Sequence, residues 1–271
     1  VYPGIAAALE RGEAVWLTVV DHDTPPGLGT GTPAASVPTR APTAAATPAA
    51  PAPAPATVAV EADAGAPAQD PLRVARGQLT FDAEGTDTPG RYFSRRLHVP
   101  SASSGLTLGR GFDLRERDRA SAQADLVACG IRPELAAKVA GGAGLRGEAA
   151  RAYIAAQGLE AFEITHTQQR RLFESTYAEM LRDVERICAK RDVQERYGAA
   201  DLDAVDPRIR DMLVDLRYRG DYTGATRVRV QPPAVTGDVP ALRAVMADED
   251  FWRRQRGVPA DRFRRRRDYL T

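Results

Sequence analysis

Apolar residues in the second half of the chain recur at helical spacing. Thr165 and Gln168 have the spacing of a capping box, and behind them Leu172, Phe173, Tyr177, Met180, Leu181, Val184 and Ile187 fall on one face. Ile209, Met212, Leu213 and Leu216 repeat the pattern over Pro207 to Arg219, ahead of a Gly220–Gly224 loop, and Leu242, Val245 and Met246 repeat it again. Shorter helical segments are predicted over Ala120 to Cys129 with Gly130 as stop, from Pro133 to Gly141-Gly142, and from Leu145 to Ala156. Leu72, Val74 and Leu79 predict a helix leading into Glu84.

Between these helices the period changes. Arg91 to Val99 mixes aromatic and aliphatic with polar residues, as a strand does, and Pro100 to Gly105 has turn chemistry. Leu106 to Gly111 is expected to return as a second strand, with Asp113 at the exit. The fold class expected from these periods is α+β and predominantly helical, with one small β-hairpin.

The start of the chain reads differently. Ala6 to Gly12 suggests a short helix and Val15 to Val20 a strand, too little to bury a core, so residues 1–23 are expected to be a fragment of an upstream domain. Residues 24–70 are rich in Pro, Ala, Thr and Gly with few large apolar side chains, the composition of a disordered linker. The expected folded domain is therefore 71–271. The chain does not begin with Met, which suggests a piece of a longer protein whose delivery signals lie elsewhere.

Charge and cysteine content narrow the classes. A net charge of +1 gives no global case for a nucleic-acid partner, and no apolar run approaches the length of a membrane span. The cluster Arg262 and Arg264 to Arg267 is read as a solvated helix face with Phe263, Tyr269 and Leu270 on the packed side; gripping phosphate is the competing reading. Cys129 and Cys188 form no metal pattern and are read as small buried helix residues. His22, His98 and His166 lack a partner at ligand spacing, so no metal or cofactor is expected.

Candidate chemistry lies between Phe81 and Leu114. Glu84 ends the first helix of the domain, where Ala83 and the preceding apolar run would press on its carboxyl and favour the proton-bearing form. The hairpin carries a hydroxyl, Thr107, and a second carboxylate, Asp113, back across from it. Arg110 and Arg115 flank Asp113 and would help keep it ionised. Asp87 is too near Glu84 in sequence to face it across a cleft. Two carboxylates facing each other, one protonated and one ionised, suit glycosidic bond cleavage.

The Glu84-Gly85 pair, the run Gly105-Leu106-Thr107-Leu108-Gly109-Arg110-Gly111, and a Thr followed six residues later by Asp resemble the phage-type lysozymes. The closest likeness is to their pesticin-like branch of bacteriocins and secreted muramidase toxins, and it covers roughly Leu79 to Thr271. In the phage enzymes the catalytic Asp precedes the Thr; here the order is that of the pesticin-like branch. The resemblance implies a lysozyme-like two-lobe fold and a catalytic set of Glu84 as general acid, Thr107 holding the attacking water and Asp113 activating it. A Thr placed to hold water suggests inversion. The implied activity is hydrolysis of the β-1,4 bond between N-acetylmuramic acid and N-acetylglucosamine of peptidoglycan, by the C-terminal effector domain of a secreted antibacterial toxin. Such a domain would act in the periplasm of a target bacterium, arrive on an upstream delivery domain and be met by an immunity protein in the producer. A peptidoglycan-binding module without hydrolysis is the main alternative, and a nucleic-acid-binding helical domain a weaker one.

Overall fold

A computed structural model describes residues 72–90 and 93–271; the helix, strand and linker expected over 1–70 lie outside them. In chain order the elements are α1 (Gln78–Ala83), β1 (Thr107–Leu108), β2 (Phe112–Asp113), α2 (Arg119–Ala128), α3 (Pro133–Ala140), α4 (Gly147–Ala156) and α5 (His166–Cys188). Then follow α6 (Arg191–Tyr197), α7 (Pro207–Arg219), α8 (Gly224–Thr236), α9 (Val239–Met246), a π-helical turn (Asp250–Gln255) and α10 (Ala260–Tyr269). The described residues are thus predominantly helical with one small antiparallel sheet, the α+β class expected.

Local chemistry sets the helix ends. Thr165 accepts from the Gln168 amide at 3.1 Å while the Gln168 side chain accepts from the Thr165 amide at 2.9 Å, so two of the free donors at the start of α5 are satisfied reciprocally. Pro133 and Pro207 open α3 and α7 in the first turn, where a missing N–H costs no helical bond. Two helices escape the periodic reading. In α6 Val193 is the buried residue, too little to make a pattern. In α8 Pro232 and Pro233 sit inside the helix, so the bonds their amides would give to the preceding turn are not made. The predicted helix ahead of Glu84 is also shorter than its apolar spacing suggests, starting only at Gln78.

Two groups of buried side chains share α5. Leu172 packs with Leu106, Leu108, Phe112, Leu114, Leu126, Val139 and Ile164 around the hairpin and α2 to α4. From Phe173 onward the same helix packs with Phe81, Met212, Leu213, Leu242, Trp252 and Phe263. The α1 helix rests on α7 and α10. It is fastened there by buried Asp211, which accepts from the Gly77 amide at 3.2 Å, Tyr177 Oη at 2.5 Å and Tyr269 Oη at 2.6 Å. A buried carboxylate with three donors is satisfied, and it fixes where the chain enters Glu84.

The hairpin differs from its sequence reading. The expected return strand, Leu106 to Gly111, supplies β1 and then turns at once. Gly109 (φ 62°) and Gly111 (φ 89°) take left-handed conformations, so the chain reverses at Gly109-Arg110-Gly111 and β2 pairs back with Thr107 opposite Asp113 and Leu108 opposite Phe112. The expected first strand survives as isolated bridges, Thr86 with Phe93, Arg96 with Glu163, and His98 antiparallel to Thr107. Arg95 and Arg96 turn aside to Glu163, at 2.8 and 3.1 Å, which draws this segment away from a continuous ladder.

Candidate active site

Thr107 and Asp113 are directly opposite one another in register, so their side chains share one face of the sheet, with Cβ atoms about 5 Å apart. Thr107 is 5 % exposed, and among the described residues its hydroxyl makes one hydrogen bond, a long one of 3.3 Å to the Gly105 carbonyl. Asp113 Oδ1 accepts from the Arg115 amide at 2.8 Å. Any side chain at Gly105 would collide with that same oxygen, which is why a glycine precedes the strand. The expectation that Arg110 flanks and supports Asp113 is corrected. Its guanidinium turns away, giving Nη1 to the carbonyls of Phe81 (2.7 Å) and Gly85 (2.6 Å) and Nη2 to Asp87 (2.5 Å).

That turn of Arg110 positions the site. From the tip of the hairpin it grips the main chain on both sides of Glu84, so the end of α1 and the Thr107–Asp113 pair are held by one buried cation. Gly85 permits the approach: a Cβ there would lie 2.7 Å from Ser94 Oγ and 3.2 Å from Arg110 Cδ. Tyr218 reinforces the junction by donating to the Arg110 carbonyl at 2.9 Å, with its ring against Gly111. Burial pushes the Tyr218 phenol well above its ordinary range, and the charge of nearby Glu84 adds to this. Asp87 is taken up by Arg110, by Arg95 at 3.1 Å, by Gln169 at 3.2 Å and by His166 at 3.4 Å, and serves as a structural hub.

Glu84 caps the end of α1 and its side chain is 17 % exposed. The apolar press expected on its carboxyl is replaced by a cation: Arg262 Nη1 donates to Oε1 at 2.6 Å. Its other oxygen makes no hydrogen bond among the described residues. Arg262 in turn binds Asp215 at 2.6 Å, Asp215 binds Arg266 at 2.6 Å, and Arg266 reaches Asp221 at 2.7 Å. Burial alone would push the Asp215 carboxyl up; the guanidinia of Arg262 and Arg266 overcome it and bring it down to about 2.

The solvated reading of the arginine cluster therefore needs correcting. Arg264, Arg265 and Arg267 are exposed, but Arg262 and Arg266, one helical turn apart, point inward and are 3 % and 1 % exposed. The i, i+4 spacing of two arginines within the cluster was the available signal, and Asp215 inside the apolar face of α7 was its unread partner.

His98 was also passed over. Its main chain exchanges two hydrogen bonds with Thr107, at 3.0 and 2.9 Å, which adds it to the row that holds Thr107 and Asp113. His166 belongs to the start of α5 as expected, and Cys129 and Cys188 are buried free thiols at helix ends. His22 lies outside the described residues.

Among the described residues no helix is long and apolar enough to cross a membrane. Residues 77–267 match a family described as a domain of unknown function (DUF8812), and the chain belongs to that family. Its span runs from Gly77, just ahead of α1, to Arg267, the last arginine of the closing cluster, so it takes in the whole of the candidate site. No curated protein matches the chain.

Proposed function

We propose that this domain is a peptidoglycan hydrolase of the muramidase class with a lysozyme-like two-lobe fold, cleaving the β-1,4 bond between N-acetylmuramic acid and N-acetylglucosamine. The observation that carries the reading is the in-register Thr107–Asp113 pair on a hairpin whose tip, through Arg110, is bolted to the main chain around Glu84. In this reading a water rests between the Thr107 hydroxyl and the Asp113 carboxylate. Asp113 takes a proton from it as its oxygen attacks the anomeric carbon of the muramic sugar, and Glu84 gives a proton to the departing glucosamine oxygen. Oε2, the oxygen Arg262 leaves free, would be the donor, and Arg262 would hold the carboxyl in one orientation. A water delivered from the face opposite the leaving group gives inversion.

The linker-like composition of residues 24–70 ahead of the domain fits a C-terminal effector of a secreted antibacterial toxin. Delivered to the periplasm of a target cell, it would call for an immunity protein that plugs the cleft in the producer. The test is release of soluble muropeptides from purified peptidoglycan by the chain and by Glu84→Gln. The expected result is reducing disaccharide fragments from the parent and loss of nearly all release in a folded variant. One observation favours a second reading, a wall-binding module without hydrolysis: Arg262 already engages Glu84. In that case both proteins bind the wall and neither releases fragments.

A further inference from the structure

We propose that His98 is a positioning residue of this same site, acting on the attacking water through its neighbours Thr107 and Asp113; this rests on the muramidase reading. Three observations carry it. His98, Thr107 and Asp113 are successive partners across neighbouring strand segments, so directly opposed side chains put all three on one face. The ring is oriented: Nδ1 lies 3.0 Å from the Arg96 carbonyl, and since a carbonyl only accepts, Nδ1 carries the proton. In the neutral ring Nε2 is then a hydrogen-bond acceptor, carried by a side chain on the face that holds Thr107 and Asp113. Finally, His98 is half-buried, and burial lowers its pKa below the ordinary imidazole value, with the Arg96 carbonyl and Asp113 opposing that shift.

The charges around this face are accounted for. Asp113 stands on β2. Just beyond it Arg115 pairs with Glu116 at 3.2 Å and donates to the Ser103 carbonyl at 3.2 Å. Arg146, opposite Gly105, is held by Glu116 at 2.8 Å, and Arg96, on the segment of His98 itself, is held by Glu163. A neutral His98 leaves Asp113 basic and offers the water an acceptor. An imidazolium there lowers the proton affinity of Asp113 and opposes the positive charge that develops on the sugar ring. The acid limb of the activity should therefore carry the titration of His98.

The test compares the 271-residue chain with His98→Asn, whose amide keeps a donor for the Arg96 carbonyl while removing the titration. The readouts are muropeptide release against pH and, independently of activity, an NMR titration of the His98 Cε1–H in the wild type and in Asp113→Asn. The ratio of the rate at about pH 5 to that at about pH 7 should rise about fivefold in His98→Asn. The His98 pKa should fall in Asp113→Asn, because the carboxylate that raises it is gone. Hydrolysis with an unchanged profile in His98→Asn, or an unshifted His98 in Asp113→Asn, overturns the role of His98 and leaves the muramidase reading standing. A shifted His98 in a protein that releases no muropeptides overturns the proposed function and the role of His98 with it.

Discussion

Asp215 is the residue whose loss would be felt furthest. It is fully buried on the inner face of α7, and it neutralises two guanidinia that reach it from α10, 47 and 51 residues away. Its carboxyl is lowered from 3.8 to about 2. At about 1.4 kcal/mol per unit this links roughly 2 to 3 kcal/mol of stability to its ionised form. The sign follows from the direction of the shift. The contribution is complete above the ordinary carboxylate range and is lost as pH falls through about 2. Asp215→Asn keeps the shape and removes the charge, leaving Arg262 and Arg266 buried with, among the described residues, Glu84 and Asp221 to compensate them. Removing one partner of a buried ion cluster costs about 3 to 5 kcal/mol, so at neutral pH the expected loss is about 3 kcal/mol. Urea unfolding followed by far-UV circular dichroism, repeated from about pH 7 to pH 2, measures it. The wild-type and variant stabilities should converge at the acid end, because there the wild type has lost the same charge. A difference under about 1 kcal/mol at neutral pH, or two parallel pH curves, would refute the assignment of Asp215 as the ionic centre of this core.

Other perturbations probe the hairpin and its anchor. Thr107→Val removes a hydroxyl whose bond to the Gly105 carbonyl is long, so unfolding free energy should change by no more than about 1 kcal/mol while muropeptide release falls about 100-fold; equal loss of both would make Thr107 structural. Arg110→Gln should cost about 3 kcal/mol in chemical denaturation, since it takes one buried cation from Asp87 and the donor from two carbonyls. Gly111→Ala combines a left-handed backbone at φ 89° with a Cβ only 2.6 Å from the Tyr218 ring, and should lower thermal stability by about 2 kcal/mol; an unchanged melting temperature would show that the tip can move. Burial pushes the Cys129 thiol up to about 11, so titration with a chromogenic disulfide at about pH 8 should find it unreactive until denaturant is added.

What the sequence determined by itself was local. The capping box of α5, the prolines that open α3 and α7, and the glycines that close α2 and α7 each act over four residues or fewer, so pattern and chemistry sit side by side in the chain. Thr107 and Asp113 were picked out as candidates, but their pairing was not: the strand expected over Leu106 to Gly111 turns at Gly109-Arg110-Gly111, and that tip brings positions six apart into register. Tertiary structure decided the rest. The i, i+4 spacing with Arg266 does not say what Arg262 will meet; its partners Glu84 and Asp215 are 178 and 47 residues distant. A guanidinium tolerates burial only where distant carboxylates meet it, so its place depends on how α1, α7 and α10 pack, which no periodicity records. His98 is the same case in the sheet: its partner is set by register, and register was decided when Arg95 and Arg96 found Glu163 and the two glycines bent the hairpin back on itself.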